Sequence, residues 1–232
     1  MEKSVYNENC PKMDIVSNLL TGRRFSMVDP VSNLSLKDRV AALLRREIST
    51  SRVPDGEELT QENVSQALAV SRIPVREAFL QLENEGLLQR LPNRHVRVIG
   101  PTPRRIRQNF RMMAAIEAEI VSQISAGWTS SGAEKALESA RRAAGEGPRN
   151  AFLHWENAFH LALSLALDNP SLHQLHELRR RGLCLDAVSL KEEELLRRDE
   201  MILTCLKRED TPAAEAAVRE YYAALCAAAT KR

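Results

Sequence analysis

The sequence predicts a mainly α protein: an N-terminal winged helix-turn-helix followed by an all-α helical bundle of about six helices. Three observations carry this reading. Apolar residues recur at helical spacing in three short runs between Leu36 and Gly86. Two short alternating segments follow, on either side of Pro92-Asn93-Arg94, which is the pattern of a hairpin. Beyond Pro101-Thr102-Pro103, a hinge signal, helical periodicity continues and no strand pattern returns.

Residues 1–34 show no sustained period and end in turn-forming residues, so they are expected to form an N-terminal extension or arm. The winged helix is expected over 35–100. Ser35 is a candidate N-cap for a helix with apolar positions 36, 40, 43, 44 and 48. Val53-Pro54-Asp55-Gly56 forms a turn. Thr60 then caps a short helix carrying Val64, Ala67, Leu68 and Ala69. Ser71 opens a third helix with Val75, Phe79 and Leu82 inward, and Gly86 ends it. Strands at 87–91 and 95–99 complete the wing. The helical region spans 101–232, with helices expected near 103–126, 131–145, 149–168, 171–188, 189–208 and 212–230. Breaks are expected at Gly127, at Gly145 to Pro148, at Asn169-Pro170 and at Asp210 to Pro212.

With 232 residues and 44% hydrophobic content, the chain can bury a sizeable core. No apolar run reaches the roughly 18–20 residues a membrane helix needs. The first 30 residues lack the apolar core of a signal peptide, so no membrane partner and a cytoplasmic location are expected. Cys10, Cys184, Cys205 and Cys226 form no Cys-x-x-Cys pair, which argues against a zinc knuckle or a disulfide framework. Net charge is only +2, but its distribution is uneven. Between Glu85 and Glu117 there is no acidic residue, while Arg90, Arg94, Arg97, Arg104, Arg105, Arg107 and Arg111 fall there. Such a strip suits phosphates; on charge alone a solvated basic linker reads the same way.

The segment Val70-Ser71-Arg72-Ile73-Pro74-Val75-Arg76-Glu77-Ala78-Phe79 carries the functional signal. Arg72 and Arg76 are four apart and share a face. Arginine can bond both acceptors of a guanine edge or clamp a phosphate. Pro74 sits in the first turn, where its missing N–H costs nothing. One amphipathic helix with a charged outer face would look similar; the preceding helix, the hairpin and the basic wing together favour DNA binding.

From Leu36 to Ile99 the chain resembles the GntR family of regulators, through Pro54-Asp55-Gly56 and Leu59, the run Val70 to Ala78, Glu85-Gly86-Leu87 and the wing Leu91-Pro92-Asn93-Arg94-His95-Val96. The resemblance implies that Ser71, Arg72, Pro74, Val75 and Arg76 form the DNA-reading surface. It also implies that Arg94 and His95 at the wing tip reach the minor groove. Two residues depart from the family: His95 replaces a usual glycine, and Glu62 stands where many members carry a DNA-contacting arginine. One contact is therefore expected to be lost, or replaced by Gln61 or Asn63, since a carboxylate near phosphates is repulsive.

The helical region resembles the FCD domain of the FadR-like subgroup, on Glu156 to His160, Leu167 to Leu172 and Leu206 to Asp210. That likeness implies a divalent metal held by an acidic residue and three histidines, and a small carboxylate effector. Here Glu156 replaces the usual aspartate and His160 matches the first histidine, while Asp199 and Tyr221 fall at the other two. Met113 stands where an effector-binding arginine is common. Independently of the resemblance, Glu156, His160, Asp199 and Tyr221 all lie on or beside apolar stripes, where polar groups need partners. They are therefore expected to converge on one pocket or polar cluster. Glu156, His160 and Asp199 remain degenerate metal candidates; a cluster closed by hydrogen bonds is the favoured reading, with no cofactor assigned. His173 and His176 read as a solvated face of a polar helix.

The expected function is a DNA-binding transcription regulator, a repressor, acting on double-stranded DNA with an inverted-repeat operator as a homodimer and modulated by a small-molecule effector of the organic-acid class. Two alternatives stay open: an effector-independent dimeric DNA-binding protein, and a metal-assisted enzyme built on Glu156, His160 and Asp199. The absence of a nucleophile motif or phosphate loop disfavours the enzyme.

Overall fold

A computed structural model describes residues 35–124 and 128–229, and of residues 145 and 146 the backbone alone. The extension at 1–34, Cys10 and the break at Gly127 lie outside the described residues. Contacts divide the chain after Gly100 into two compact units.

The N-terminal unit runs α1 (Leu36–Ser49), β1 (Glu58–Leu59), α2 (Gln61–Leu68), α3 (Arg72–Asn84), β2 (Leu88–Arg90) and β3 (Val96–Val98). Ser35 caps α1 by accepting from the Asp38 amide. Val40, Leu43, Leu44 and Ile48 face the core, whereas Leu36, the first helical residue, is 38% exposed. Thr60 caps α2 through the Asn63 amide at 3.0 Å. Val75, Ala78, Phe79 and Leu82 form the inward stripe of α3. The chain then turns at Gly86, whose φ of +80° favours glycine. Arg45 of α1 donates through Nε and Nη2 to Glu85 at 2.8 and 2.6 Å, and the Glu85 side chain is fully buried. This two-pronged bond locks α1 to the end of α3.

The sheet has the order β1-β3-β2, antiparallel throughout. Strands β2 and β3 fall inside the expected segments. β1 was not legible in the sequence, because two residues are too few to show alternation. Leu59 pairs with Val96 and Glu58 with Arg97. At the wing tip the left-handed residue is Arg94, with φ +65°, and the His95 amide donates to Asn93 Oδ1 at 3.1 Å.

The C-terminal unit comprises α4 (Pro103–Ser122), α5 (Ser131–Glu146), α6 (Arg149–Leu165), α7 (Pro170–Arg181), a short 3-10 turn (Leu185–Ala187), α8 (Glu192–Lys207) and α9 (Thr211–Ala228). Thr102, Asn169 and Asp210 cap α4, α7 and α9, each with proline in the first turn. One expected element is corrected: the helix read over 171–188 stops at Arg181, where Gly182 ends it after three consecutive arginines. The following residues form the 3-10 turn and a linker, so α8 starts at Glu192 rather than 189. α9 packs against α4 and α8, α5 against α6 and α8, and α6 against α7. Phe110, Met113, Ile120, Phe152, Phe159, Leu163, Ile202 and Leu225 are buried in the apolar core they share.

Ala69 closes α2 with φ 52° and ψ 43° and is exposed, not part of an apolar stripe as its spacing predicts. Left-handed backbone costs a non-glycine residue roughly 1–2 kcal/mol, and glycine's extra unfolded-state entropy offsets only part of that. Ala69→Gly is therefore expected to raise unfolding free energy by about 1 kcal/mol in urea titrations. A loss of stability would contradict the strain assigned to this turn.

Candidate functional site

Two sets of charged residues stand out, one on the surface of the N-terminal unit and one sealed inside the helical bundle. On the N-terminal unit, α3 turns Arg72 and Arg76 outward because Val75, Ala78 and Phe79 hold the opposite side in the core. Ser71 is the N-cap residue by backbone conformation, but its hydroxyl makes no capping bond. Pro74 is half-buried at the base of the first turn. Val75 is 0% exposed; its side chain belongs to the core, which corrects its inclusion in a DNA-contact surface. Gln61 and Asn63 lie half-buried in the first turn of α2. Between them Glu62 reaches α3 and pairs with Arg72 at 2.9 Å, both side chains more than half exposed.

The basic strip of the wing is partly neutralised. Arg90 pairs with Glu83 at 3.0 Å and Arg97 with Glu58 at 3.2 Å. His95 is half-buried, its Nδ1 beside the Asn93 amide at 3.0 Å. Arg76 and Arg94 are exposed and form no ion pair among the described residues. Among the described residues of α3 and the wing tip, the outward arginines available to a polyanion are thus Arg76, Arg94 and the exchangeable Arg72.

In the C-terminal unit the structure brings Glu156, His160, Asp199 and Tyr221 together, all fully buried. His160 Nε2 lies 3.1 Å from Asp199 Oδ1 and 3.2 Å from Glu156 Oε1. The Tyr221 hydroxyl donates to Glu156 Oε1. Met113 lies in the apolar core, one helical turn before Glu117.

Three central members escaped sequence reasoning: Glu117, His176 and Arg180. Glu117 of α4 accepts four hydrogen bonds. Oε1 receives His176 Nε2 at 2.8 Å, Arg180 Nη1 at 2.9 Å and the Tyr222 hydroxyl at 2.7 Å; Oε2 receives His160 Nδ1 at 2.7 Å. Arg180 of α7 engages through all three guanidinium nitrogens: Nε to Asn157, Nη1 to Glu117 and Tyr222, and Nη2 to both oxygens of Glu156 at 3.0 and 3.1 Å. His176 is 0% exposed, which corrects the solvated-face reading of α7. With its proton on Nε2 toward Glu117, His176 accepts at Nδ1 from Ser164 at 2.9 Å. The available signals were Glu117 on the apolar stripe of Phe110, Met113 and Ile120, and the four-residue spacing of His176 and Arg180.

Electrostatics follow from this geometry. Burial alone would raise the Glu117 and Glu156 carboxyls. The charges of His160 and Arg180 outweigh it for Glu117, and those of Arg180 and His160 for Glu156, which sits at about 2. Burial pushes Asp199 up to about 7, because it lacks a guanidinium partner of its own. Burial and Arg180 press the His160 pKa down, yet the carboxylates at both ring nitrogens hold it well above its ordinary value. Burial lowers His176. The consistent state has ionised Glu117 and Glu156 balanced by Arg180 and an imidazolium at His160.

Glu156, His160 and Asp199 each offer a ligand atom within 4.8 Å of the others. The hydrogen bonding does not fit the divalent metal that an FCD likeness implies. Both ring nitrogens of His160 face carboxylates and act as donors, so neither has a lone pair to give. Glu156 already accepts from Arg180 and Tyr221. Asp199 Oδ2, buried and without a hydrogen-bond partner, is one oxygen and not a ligand set.

A stability profile follows. The two glutamates, with lowered pKa values, contribute stability above about pH 4.5 that is lost toward pH 2. Asp199, raised from 3.8 to about 7, favours the folded state while protonated and loses that contribution as pH rises across the interval. His160 adds a further loss above neutrality. The cluster's contribution is expected to peak near about pH 5. Asp199→Asn should flatten the fall between pH 5 and 8 in urea unfolding; equal losses in variant and wild type would remove Asp199 from this profile.

Comparison with known proteins agrees with the outward-facing helix and wing. Residues 36–98 match the family model of bacterial regulatory proteins of the gntR family. The chain is 29% identical over 195 residues to the HTH-type transcriptional repressor RspR of Escherichia coli K12, covering 80% of this chain and 85% of that protein. In fold it is similar to a GntR regulator from Rhodococcus sp. RHA1, with TM-score 0.65, 24% identity and coverage of 85% of this chain and 98% of that one. It is likewise similar to E. coli McbR/YncC, with TM-score 0.66, 23% identity and the same coverage. Residues 36–98 thus form a DNA-binding helix-turn-helix domain of the gntR family, and over most of its length the chain is similar to an HTH-type transcription regulator.

Proposed function

We propose that this regulator is a repressor that binds an inverted-repeat operator in double-stranded DNA as a homodimer, with α3 in the major groove and the wing tip at the minor groove. The outward projection of Arg72 and Arg76 from the start of a helix whose other side is buried carries this reading. Such a helix presents its first turns to base edges. Ser71, Gln61 and Asn63 flank it as hydrogen-bonding groups, and Arg94 and His95 supply the wing contact. The similarity to the transcriptional repressor RspR supports the sign of regulation. A single winged helix reads few base pairs, and a two-fold dimer doubles the contact through inverted half-sites. A protein acting on bacterial DNA works in the cytoplasm.

In this reading the helical unit, of the FCD type, holds the dimer together and receives a small-molecule signal of the organic-acid class. The support is that Glu117 ties α6, α7 and α9 to α4, the helix that follows the DNA-binding unit after the short Pro101-Thr102 link. A ligand with different affinities for two arrangements of the cluster would shift α4. One observation favours an effector-independent dimer instead: Arg180 already satisfies the carboxylates on which a ligand would act. Operator affinity that stays constant across a panel of small carboxylates at millimolar concentration would select that second reading.

Selection of bound sequences from random duplexes is expected to yield a two-fold symmetric site. On that site Arg72→Ala and Arg76→Ala should each weaken binding by roughly 1–3 kcal/mol. Arg94→Ala should weaken all sequences alike and lower the salt slope by about one. Unchanged affinity in both helix variants would remove α3 from the interface, and a monomeric mass with and without DNA would remove the dimer.

Glu62→Gln is expected to act in the opposite direction. It frees Arg72 and removes a carboxylate from the phosphate path, so affinity for random DNA should rise and its salt dependence steepen. Titration of a random duplex at two salt concentrations checks this; an unchanged slope would place Glu62 away from DNA.

A further inference from the structure

The sealed cluster of the helical unit contains a positively charged group at the place where an external cation would otherwise be needed. We infer that the Arg180 guanidinium is the resident cation of this bundle: tethered on α7 and bonded to Glu117 and Glu156, it supplies the positive charge that a divalent metal ion held by Glu156, His160 and Asp199 would otherwise bring.

The geometry supports this from three sides. Arg180 is the only arginine among the described residues with a side chain at 0% exposure in an ion pair, and it pairs with two glutamates on different helices, Glu117 of α4 and Glu156 of α6. It then reaches Tyr222 of α9 and Asn157 of α6. A single group thus joins four helices through acceptors aimed at one point, which is what a bound ion does for a set of ligands. Second, its Nη2 contacts both oxygens of Glu156, the carboxylate that a metal between His160 and Asp199 would have to share. A dication at that spot would add to two positive charges already in the cluster, the Arg180 guanidinium on Glu156 and the His160 imidazolium between Glu156 and Asp199, in a dry interior where repulsion is poorly screened. Third, His160 closes the remaining side as a donor at both nitrogens, with Glu117 and Asp199 as acceptors.

A planar guanidinium and a spherical dication differ in one useful respect. The guanidinium is covalently fixed and always charged, so the assembled bundle does not depend on metal supply. Taking it away exposes an oxygen-rich set with one imidazole, which suits a hard or borderline divalent ion.

The test uses the full-length protein with Zn2+ and Mn2+ alone as probes, read by elemental analysis and thermal melting. Wild type is expected to carry well under one equivalent of metal and to melt unchanged in EDTA or with either ion added. Arg180→Ala should melt lower, take up one equivalent of one of the ions and recover several degrees on doing so. Arg180→Lys keeps the charge without the three-way reach; it should melt between the two and remain indifferent to metal. A full equivalent of metal in wild type, lost with a drop in melting temperature in EDTA, would overturn the inference even if Arg180→Ala fails to fold. A folded Arg180→Ala that takes up neither ion would overturn the claim that the guanidinium fills a cation's place. Neither result bears on the DNA-binding reading, since both readouts report on the bundle alone.

Discussion

A carboxylate cut off from water must find donors within the protein or give up its charge, and Glu117 is placed under that constraint at the centre of the helical unit. It meets the constraint with four donors from three helices: His160 of α6, His176 and Arg180 of α7, and Tyr222 of α9. The apolar core can be filled by many combinations of leucine, phenylalanine and alanine. The donors around one oxygen pair cannot be exchanged so freely, because each bond fixes a distance and a direction. The positions of α6, α7 and α9 around α4 are therefore set by hydrogen-bond geometry inside a core that volume alone would leave less specified. Such a device is weak as a source of net stability, since the charges had to be desolvated; its effect is on which packing is adopted.

The two units handle arginine in opposite ways. In the bundle, Arg180 is immobilised and fully committed. On α3, Arg72 rests on Glu62 in a solvated pair, of the kind that contributes little to stability and is readily exchanged for another anion. The same side chain chemistry gives a structural bolt in one place and an available contact in the other, and burial is the variable that separates them.

Much of the fold was legible because local chemistry and periodicity agreed. Ser35 and Thr60 announce helix starts, and each caps one in the structure; the hinge at Thr102 and the breaks at Asn169 and Asp210 prove to be the caps of α4, α7 and α9. The short helix α7 was read two ways wrongly, in its length and in its face. Its buried residues are His176 and Arg180, so hydrophobic periodicity has nothing to detect; burial there follows from partners on other helices. Glu156, His160, Asp199 and Tyr221 could be gathered because each interrupts an apolar stripe. Arg180 could not, since a run of three arginines before glycine is also the ordinary end of an exposed helix. Val75 shows the converse error: a position inside a recognised motif can serve the core and leave the surface to its neighbours.

The span of the cluster along the chain bears on how the bundle assembles. Glu117 and Tyr222 are 105 residues apart, and His160 and Asp199 lie between them. Closing so long a loop costs entropy before any return is felt, and bringing Glu117 into a dry interior ahead of its donors would strand a charge. Helices α4 to α9 can form early as separate segments, but the cluster forms only when five of them meet. Folding of this unit is accordingly expected to include a late, collective step in which long-range pairing and desolvation occur together.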